Sequence, residues 1–235
     1  MRSLLVPIAM LTIAALVAAP SGAHAALINT EEIIGTPAQF NGNTKSVSGF
    51  TLTAMLDGLA GSQLAYDGGA NPNNGLGVGQ PAADGPSVGF TRSINNNGAN
   101  AESIKLDLPA TGFGGLTAIT VASAGASAGG LASTIVISGF TADPSAAGAG
   151  SIGFAAGAIT WIPGAGGLQT LTLGNQAATP AGSSLEFSNG ATDGGNNQYG
   201  LRSFEYNVPV PEPSAILLLL AGSAVAGLLR RHGRR

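Results

Sequence analysis

Cysteine is absent from the 235 residues, and histidine occurs only at His24 and His232. Without thiols the chain has no disulfide framework, no thiolate nucleophile and no cysteine-based metal site. Residues 26–208 contain no histidine, so that stretch also lacks the usual general base for a serine nucleophile. Charge is scarce as well, at 9% of residues. Between residues 26 and 208 the cations are Lys45, Arg92, Lys105 and Arg202 alone, four against eleven acids, for a net charge of −7. A nucleic-acid binder neutralises phosphates with clustered Lys and Arg, and four scattered cations in a negative field exclude that class. Long amphipathic helical stripes are missing too, which leaves the apolar residues in short segments.

Two of those apolar segments stand at the ends. Met1-Arg2 is a short positive start, Leu4 to Val17 is apolar, and Ala23-His24-Ala25 is an A-x-A site. That layout predicts a secretory signal peptide over residues 1–25, cut after Ala25. Pro20 and the shortness of the run argue against an N-terminal membrane anchor. At the other end Pro211-Glu212-Pro213 precedes an uncharged apolar run, Ser214 to Leu229, and then Arg230-Arg231-His232-Gly233-Arg234-Arg235. The two prolines keep the backbone extended, so a helix can begin only after Pro213. About sixteen residues give roughly 24 Å of helix, marginal for a hydrocarbon core about 30 Å thick. A single transmembrane helix over 214–229 is expected. The basic tail 230–235, through Arg230, Arg231, Arg234 and Arg235, should hold its end on the cytoplasmic side and leave the bulk of the chain outside.

The order of motif, apolar run and basic tail over Val210–Arg235 closely resembles the PEP-CTERM sorting signal of exported proteins from Gram-negative bacteria. The resemblance implies a sorting region over 209–235 with Pro211, Glu212 and Pro213 as the sorting motif. It also implies recognition by an exosortase, a membrane-embedded cysteine protease or transpeptidase, with processing near that motif. The expected partners are then signal peptidase, exosortase and the membrane. The chain would be exported across the cytoplasmic membrane, anchored for a time, and destined for the cell surface or extracellular matrix. None of this says what the exported part does.

Residues 26–208 read as one exported domain, long enough to bury a core. Ten segments carry β-type patterns: Val47–Leu56, Ser87–Ile94, Glu102–Leu108, Leu116–Ala122, Ser133–Phe140, Ser151–Phe154, Ala158–Ile162, Leu168–Leu173, Ser184–Ser188 and Leu201–Val208. Ile104, Leu106 and Leu108 alternate with Lys105 and Asp107, and Phe204, Tyr206 and Val208 alternate with Glu205 and Asn207, as in strands with one buried face. Turn-forming clusters such as Asp67-Gly68-Gly69 and Asn95-Asn96-Asn97-Gly98 separate them. The predicted fold is all-β, an antiparallel β-sandwich of jelly-roll-like kind. With 37 Gly and 13 Pro the composition approaches that of low-complexity chains, but the regular β-branched and aromatic segments oppose disorder. Asp67 to Pro86 reads as a long surface loop.

Two catalytic patterns fail on chemistry. Gly125-Ala126-Ser127-Ala128-Gly129 matches the nucleophile elbow, but its only downstream histidine, His232, lies past the apolar run. Gly148-Ala149-Gly150-Ser151-Ile152-Gly153 matches a dinucleotide fingerprint, yet it follows Asp143-Pro144 and leads into another β segment rather than a helix. Paired carboxylates among Glu102, Asp107, Glu186 and Glu205 are the remaining acid–base chemistry. Alternation places Asp107 and Glu205 on the solvent face, where solvated charges are ordinary. Asn95, Asn96, Asn97, Asn100 and Glu102 around one turn, and Asp193, Asn196 and Asn197 around another, offer oxygens of the kind calcium takes. Neither matches a calcium-loop signature, and Asx turns use the same residues without an ion, so no metal or cofactor is assigned. Trp161, Tyr66 and Tyr199 could stack on sugar rings if exposed, though Trp161 between Thr160 and Ile162 fits a core equally well.

The expectation is therefore a non-enzymatic exported surface or extracellular-matrix protein. A lectin-like carbohydrate-binding module, with an extracellular polysaccharide as partner, is the alternative, and a carboxylate-dependent glycan hydrolase a more remote one.

Overall fold

A computed structural model describes residues 24–30, 42–57, 59–60, 63–66, 75–79, 94, 101–123, 134–164, 167–190 and 199–209. Ala25–Val208 forms one compact unit. In chain order its strands are β1 (His24–Asn29), β2 (Thr44–Val47), β3 (Phe50–Leu56), β4 (Leu59–Ala60), β5 (Gln63–Tyr66), β6 (Leu76–Gly79), β7 (Glu102–Asp107) and β8 (Leu116–Ser123). They continue with β9 (Ile135–Ser138), β10 (Ala146–Gly148), β11 (Ser151–Ala155), β12 (Ala158–Ile162), β13 (Gly167–Leu173), β14 (Ser184–Asn189) and β15 (Tyr199–Val208). Helix among the described residues is limited to Thr30 and one 3-10 turn, Gln176–Ala178.

The strands form two antiparallel sheets. One, sheet A, runs β10-β13-β8-β15-β6-β5, with β1 also paired to β15; the other, sheet B, runs β11-β12-β9-β14-β7-β3-β2, with β4 paired to β3. The alternation read from the sequence sets which face of each is buried. Ile104 and Leu106 of β7 have no solvent exposure, while Lys105 and Asp107, which alternate with them, are half-exposed. Phe204 of β15 is fully buried, and Tyr206 is partly buried against the same core. Apolar residues of both sheets join one cluster, Phe50, Leu52 and Ile104 from sheet B with Ile119, Leu171 and Phe204 from sheet A. Aromatic contacts tie the sheets directly. The rings of Phe50 and Phe204 lie 4.9 Å apart, and Phe50 meets Phe113 and Tyr206 edge-on at 5.7 and 4.8 Å, separations at which aromatic quadrupoles attract.

Three readings of the sequence need correction. Val47–Leu56 is a hairpin rather than one strand: Ser48 and Gly49 both have positive φ, 49° and 83°, between β2 and β3. A two-residue loop of that kind matches the right-handed twist of its strands. Asp67 to Pro86, whose composition predicts a surface loop, contains β6, whose Leu76 and Val78 are fully buried. The glycine-rich run at Gly148 is preceded by strand β10, with Ala149-Gly150 linking β10 to β11 at the edges of the two sheets, so it is a sheet-to-sheet crossing. Of Ser87–Ile94, only Ile94 is described; it is fully buried and bridges Tyr199.

Candidate functional site

The carboxylates named as acid–base candidates can be placed strand by strand. On β7 and β14 the register sets Asp107 opposite Ser184, Lys105 opposite Glu186 and Ser103 opposite Ser188. Short hydroxyl side chains beside carboxylates let each acid find a donor across the strand gap. Ser103 Oγ donates to Glu186 Oε1 at 2.6 Å, Ser184 Oγ donates to Asp107 Oδ1, and Lys105 Nζ pairs with Asp107 Oδ1 at 2.8 Å. Burial pushes the Asp107 carboxyl up, but the hydrogen bonds from Lys105 and Ser184 and the Lys105 charge outweigh it and hold the group below the ordinary carboxylate value. A glycosidase acid needs a carboxyl raised enough to keep its proton. Asp107 is shifted the other way and stays ionised.

The remaining candidates are dispersed. Glu102 is buried at the start of β7, on the same side as Ile104 and Leu106, and Glu205 is half-buried on β15 in the other sheet. Among the described residues no group of three or more His, Cys, Asp or Glu side chains could hold a metal ion. Asn95, Asn96, Asn97, Asn100, Asp193, Asn196, Asn197 and Ser127 lie outside the described residues. Two of the aromatics suited to sugar stacking, Trp161 and Tyr199, are interior. Trp161 and Tyr199 have no solvent exposure, with Trp161 Nε1–H donating to Ala149 O at 2.8 Å and the Tyr199 hydroxyl donating to Ser188 O at 3.0 Å. Each ring is buried because its one polar atom finds a backbone acceptor. The Tyr66 side chain is outside the described set.

What sequence reading missed is the hydroxyl content of the sheet exteriors. Ser46 and Thr51 pair across β2 and β3 at 2.9 Å, and Thr120 and Thr170 pair across β8 and β13 at the same distance. Period-2 Ser and Thr opposite apolar residues was the available signal.

The two ends of the chain are where the sequence places its expected targeting segments. Ala25 is exposed within β1, so a cut after it would leave Ala26–Asn29 of that strand, together with Thr30, whose hydroxyl is shared between Leu201 O and Arg202 O at 2.8 and 2.9 Å. Ala23 lies outside the described residues, as do Pro211, Glu212, Pro213, Arg230, Arg231, Arg234, Arg235 and the helix expected over 214–229. Among the described residues no helix is long and apolar enough to cross a membrane. The chain leaves the folded unit at β15, whose last residue, Val208, is followed by Pro209.

A domain made of two antiparallel sheets thus ends three residues before Pro211. Residues 209–235 match the family model of the PEP-CTERM protein-sorting motif. The chain accordingly carries a PEP-CTERM sorting motif at its C-terminal end, and the motif implies export, anchoring through the C-terminal region and processing by an exosortase. No curated protein and no solved structure matches the chain.

Proposed function

We propose that this is a non-catalytic protein of the cell surface or extracellular matrix, a jelly-roll-like β-sandwich delivered by a signal peptide over 1–25 and sorted through 209–235. In this reading Pro211, Glu212 and Pro213 form the element that exosortase recognises. Residues 214–229 span the membrane as one helix, and Arg230, Arg231, Arg234 and Arg235 keep its end cytoplasmic. The observation that carries the reading is the sorting-motif match at 209–235. The absence of histidine and cysteine from residues 26–208, with Asp107 held ionised by its neighbours, favours a structural role over catalysis.

The test separates recognition from anchoring. In cells that carry an exosortase, Glu212→Ala should leave insertion intact, because the apolar run is unchanged, and trap the full-length chain in the membrane. Replacing the four tail arginines with Gln should act earlier, removing the positive flank that sets orientation, and give inverted or mislocalised chain. Processing and release of Glu212→Ala at the unaltered rate would overturn the assignment and make 214–229 an ordinary anchor.

A further inference from the structure

Charge is unevenly spread over the described strands of this domain. Between Asp107 and Glu186 the sequence has a single charged residue, Asp143, and strands β8 to β13 contain none. Strand order gathers those six strands together. β10, β13 and β8 form one end of sheet A, and β11, β12 and β9 form one end of sheet B. Ala149-Gly150 joins β10 to β11 directly, so the two neutral ends lie at the same lateral edge. The charged strands β7, β14, β15 and β2 lie away from it.

At the limit of this neutral half lies β11. Among the described residues it pairs with β12 only, which leaves the outer row of backbone N–H and C=O groups of Ser151–Ala155 without a strand partner. Natural edge strands are guarded by charge, proline or brevity. β2, at the opposite limit of sheet B, carries Lys45, and β10 is three residues long. β11 has five residues and neither charge nor proline. Its core-side residues Ile152 and Phe154 are only partly buried, and Ser151, Gly153 and Ala155 on the outer side are exposed and small.

We propose that β11 is the seam at which two copies of this chain associate, antiparallel about a two-fold axis near Gly153, so that sheet B runs continuously across the pair. The occupant follows from charge and symmetry. An antiparallel strand pair is self-complementary, as a two-fold interface requires. Two domains of net charge −7 repel when their acidic strands approach, and strands β8–β13, which carry no charged residue, are where they can meet with least repulsion. Pairing there satisfies the open backbone groups and brings Ile152 of each copy opposite Phe154 of the other, completing burial that the single copy leaves partial. A surface or matrix protein would gain a dimer with two membrane-sorting ends.

The natural lack of cysteine supplies the test on the full-length chain. A Cβ on Gly153 meets nothing within 4 Å, so Gly153→Cys is sterically free. Directly opposed residues in an antiparallel pair have Cα atoms about 4.5–5.5 Å apart, inside the range of roughly 4.4–6.8 Å that a disulfide bridges. Under mild oxidation Gly153→Cys should run as a covalent dimer. Ser151→Cys and Ala155→Cys should stay monomeric when each is produced alone and cross-link when produced together, since the axis sets 151 opposite 155. Ser46→Cys on the guarded edge should not cross-link. In a second arm with the full-length chain in detergent, Gly153→Lys and Gly153→Glu should each lose the dimer seen by sedimentation, and mixing the two should restore it. No cross-link from positions 151, 153 and 155, alone or mixed, would overturn the proposal. So would dimers unaffected by either Gly153 charge, or a chain that stays monomeric yet co-sediments with a neutral polysaccharide, which would assign the uncharged half to a glycan.

Discussion

Burial pushes the carboxyl of Asp107 and the hydroxyl of Tyr199 in the same direction, upward, but only at Tyr199 does it prevail. Asp107 is lowered in spite of burial, by Lys105 and Ser184. Its contribution to stability is therefore complete above the unfolded carboxylate value of about 3.9 and is lost as pH falls through the lower folded value. Because the Asp107 side chain is 38% exposed, solvent screening keeps the effect small. Urea midpoints of Asp107→Asn should converge with those of the unaltered protein below about pH 4. Tyr199 is raised well above its ordinary value, by burial first and by the nearby Glu186 charge second. Its contribution is complete below about pH 10 and is lost as pH rises from there through the folded value. Tyr199→Phe should cost about 0.5–1.5 kcal/mol at neutral pH, the worth of the hydrogen bond to Ser188 O, and should unfold less steeply with alkali, as followed by circular dichroism. The same burial explains why Trp161 could not be assigned from sequence. Thr160-Trp161-Ile162 alternates equally well in either orientation, and the choice is made by Ala149 O, an acceptor that only the crossing from β10 to β11 brings near.

At the scale of elements, strands with period-2 alternation were legible and those without it were not. β7 showed itself through Ile104, Leu106 and Leu108, and the burial of all three makes Leu106 a cavity site. Leu106→Ala should destabilise the domain by about 2–5 kcal/mol in chemical denaturation. β6 was hidden because Leu76 and Val78 are two apolar residues among Asn and Gly, too few to separate a strand from a loop by pattern. Its placement depends on a backbone contact. A Cβ on Gly200 would fall 2.7 Å from Gly75 Cα, and one on Gly75 would fall 2.7 Å from Gly200 C. The two glycines let β6 lie against β15, and Gly200→Ala should force them apart, costing about 1–3 kcal/mol and exposing Leu76 and Val78 to early hydrogen exchange. The carboxylate grouping of β7 and β14 was illegible for a different reason. Glu186 and Ser103 are far apart in sequence, and only the register of two strands sets their side chains 2.6 Å apart. The sorting end was readable because its motif, apolar run and basic tail are contiguous.

At the scale of the whole molecule, the last strand is also a central one. β15 pairs with β8 along one side and with β6 and β1 on the other, and it places Tyr199, Leu201 and Phe204 in the core with no exposure. Sheet A therefore cannot close until the residues immediately before the sorting motif have emerged on the same side of the membrane as β8. A domain of this size has a total stability of about 5–15 kcal/mol, and truncating a single buried Leu or Phe costs about 2–5 kcal/mol, so loss of the whole strand exceeds what the rest can hold. A chain ended after Gln198 should lack a cooperative unfolding transition and be digested rapidly by protease. A chain ended after Pro209 should keep the transition, because every described strand ends by Val208. Processing near Pro211-Glu212-Pro213 would on these grounds release an intact domain. A cooperative melt from the Gln198-terminated chain would show that β15 is dispensable and that folding does not wait for the sorting end.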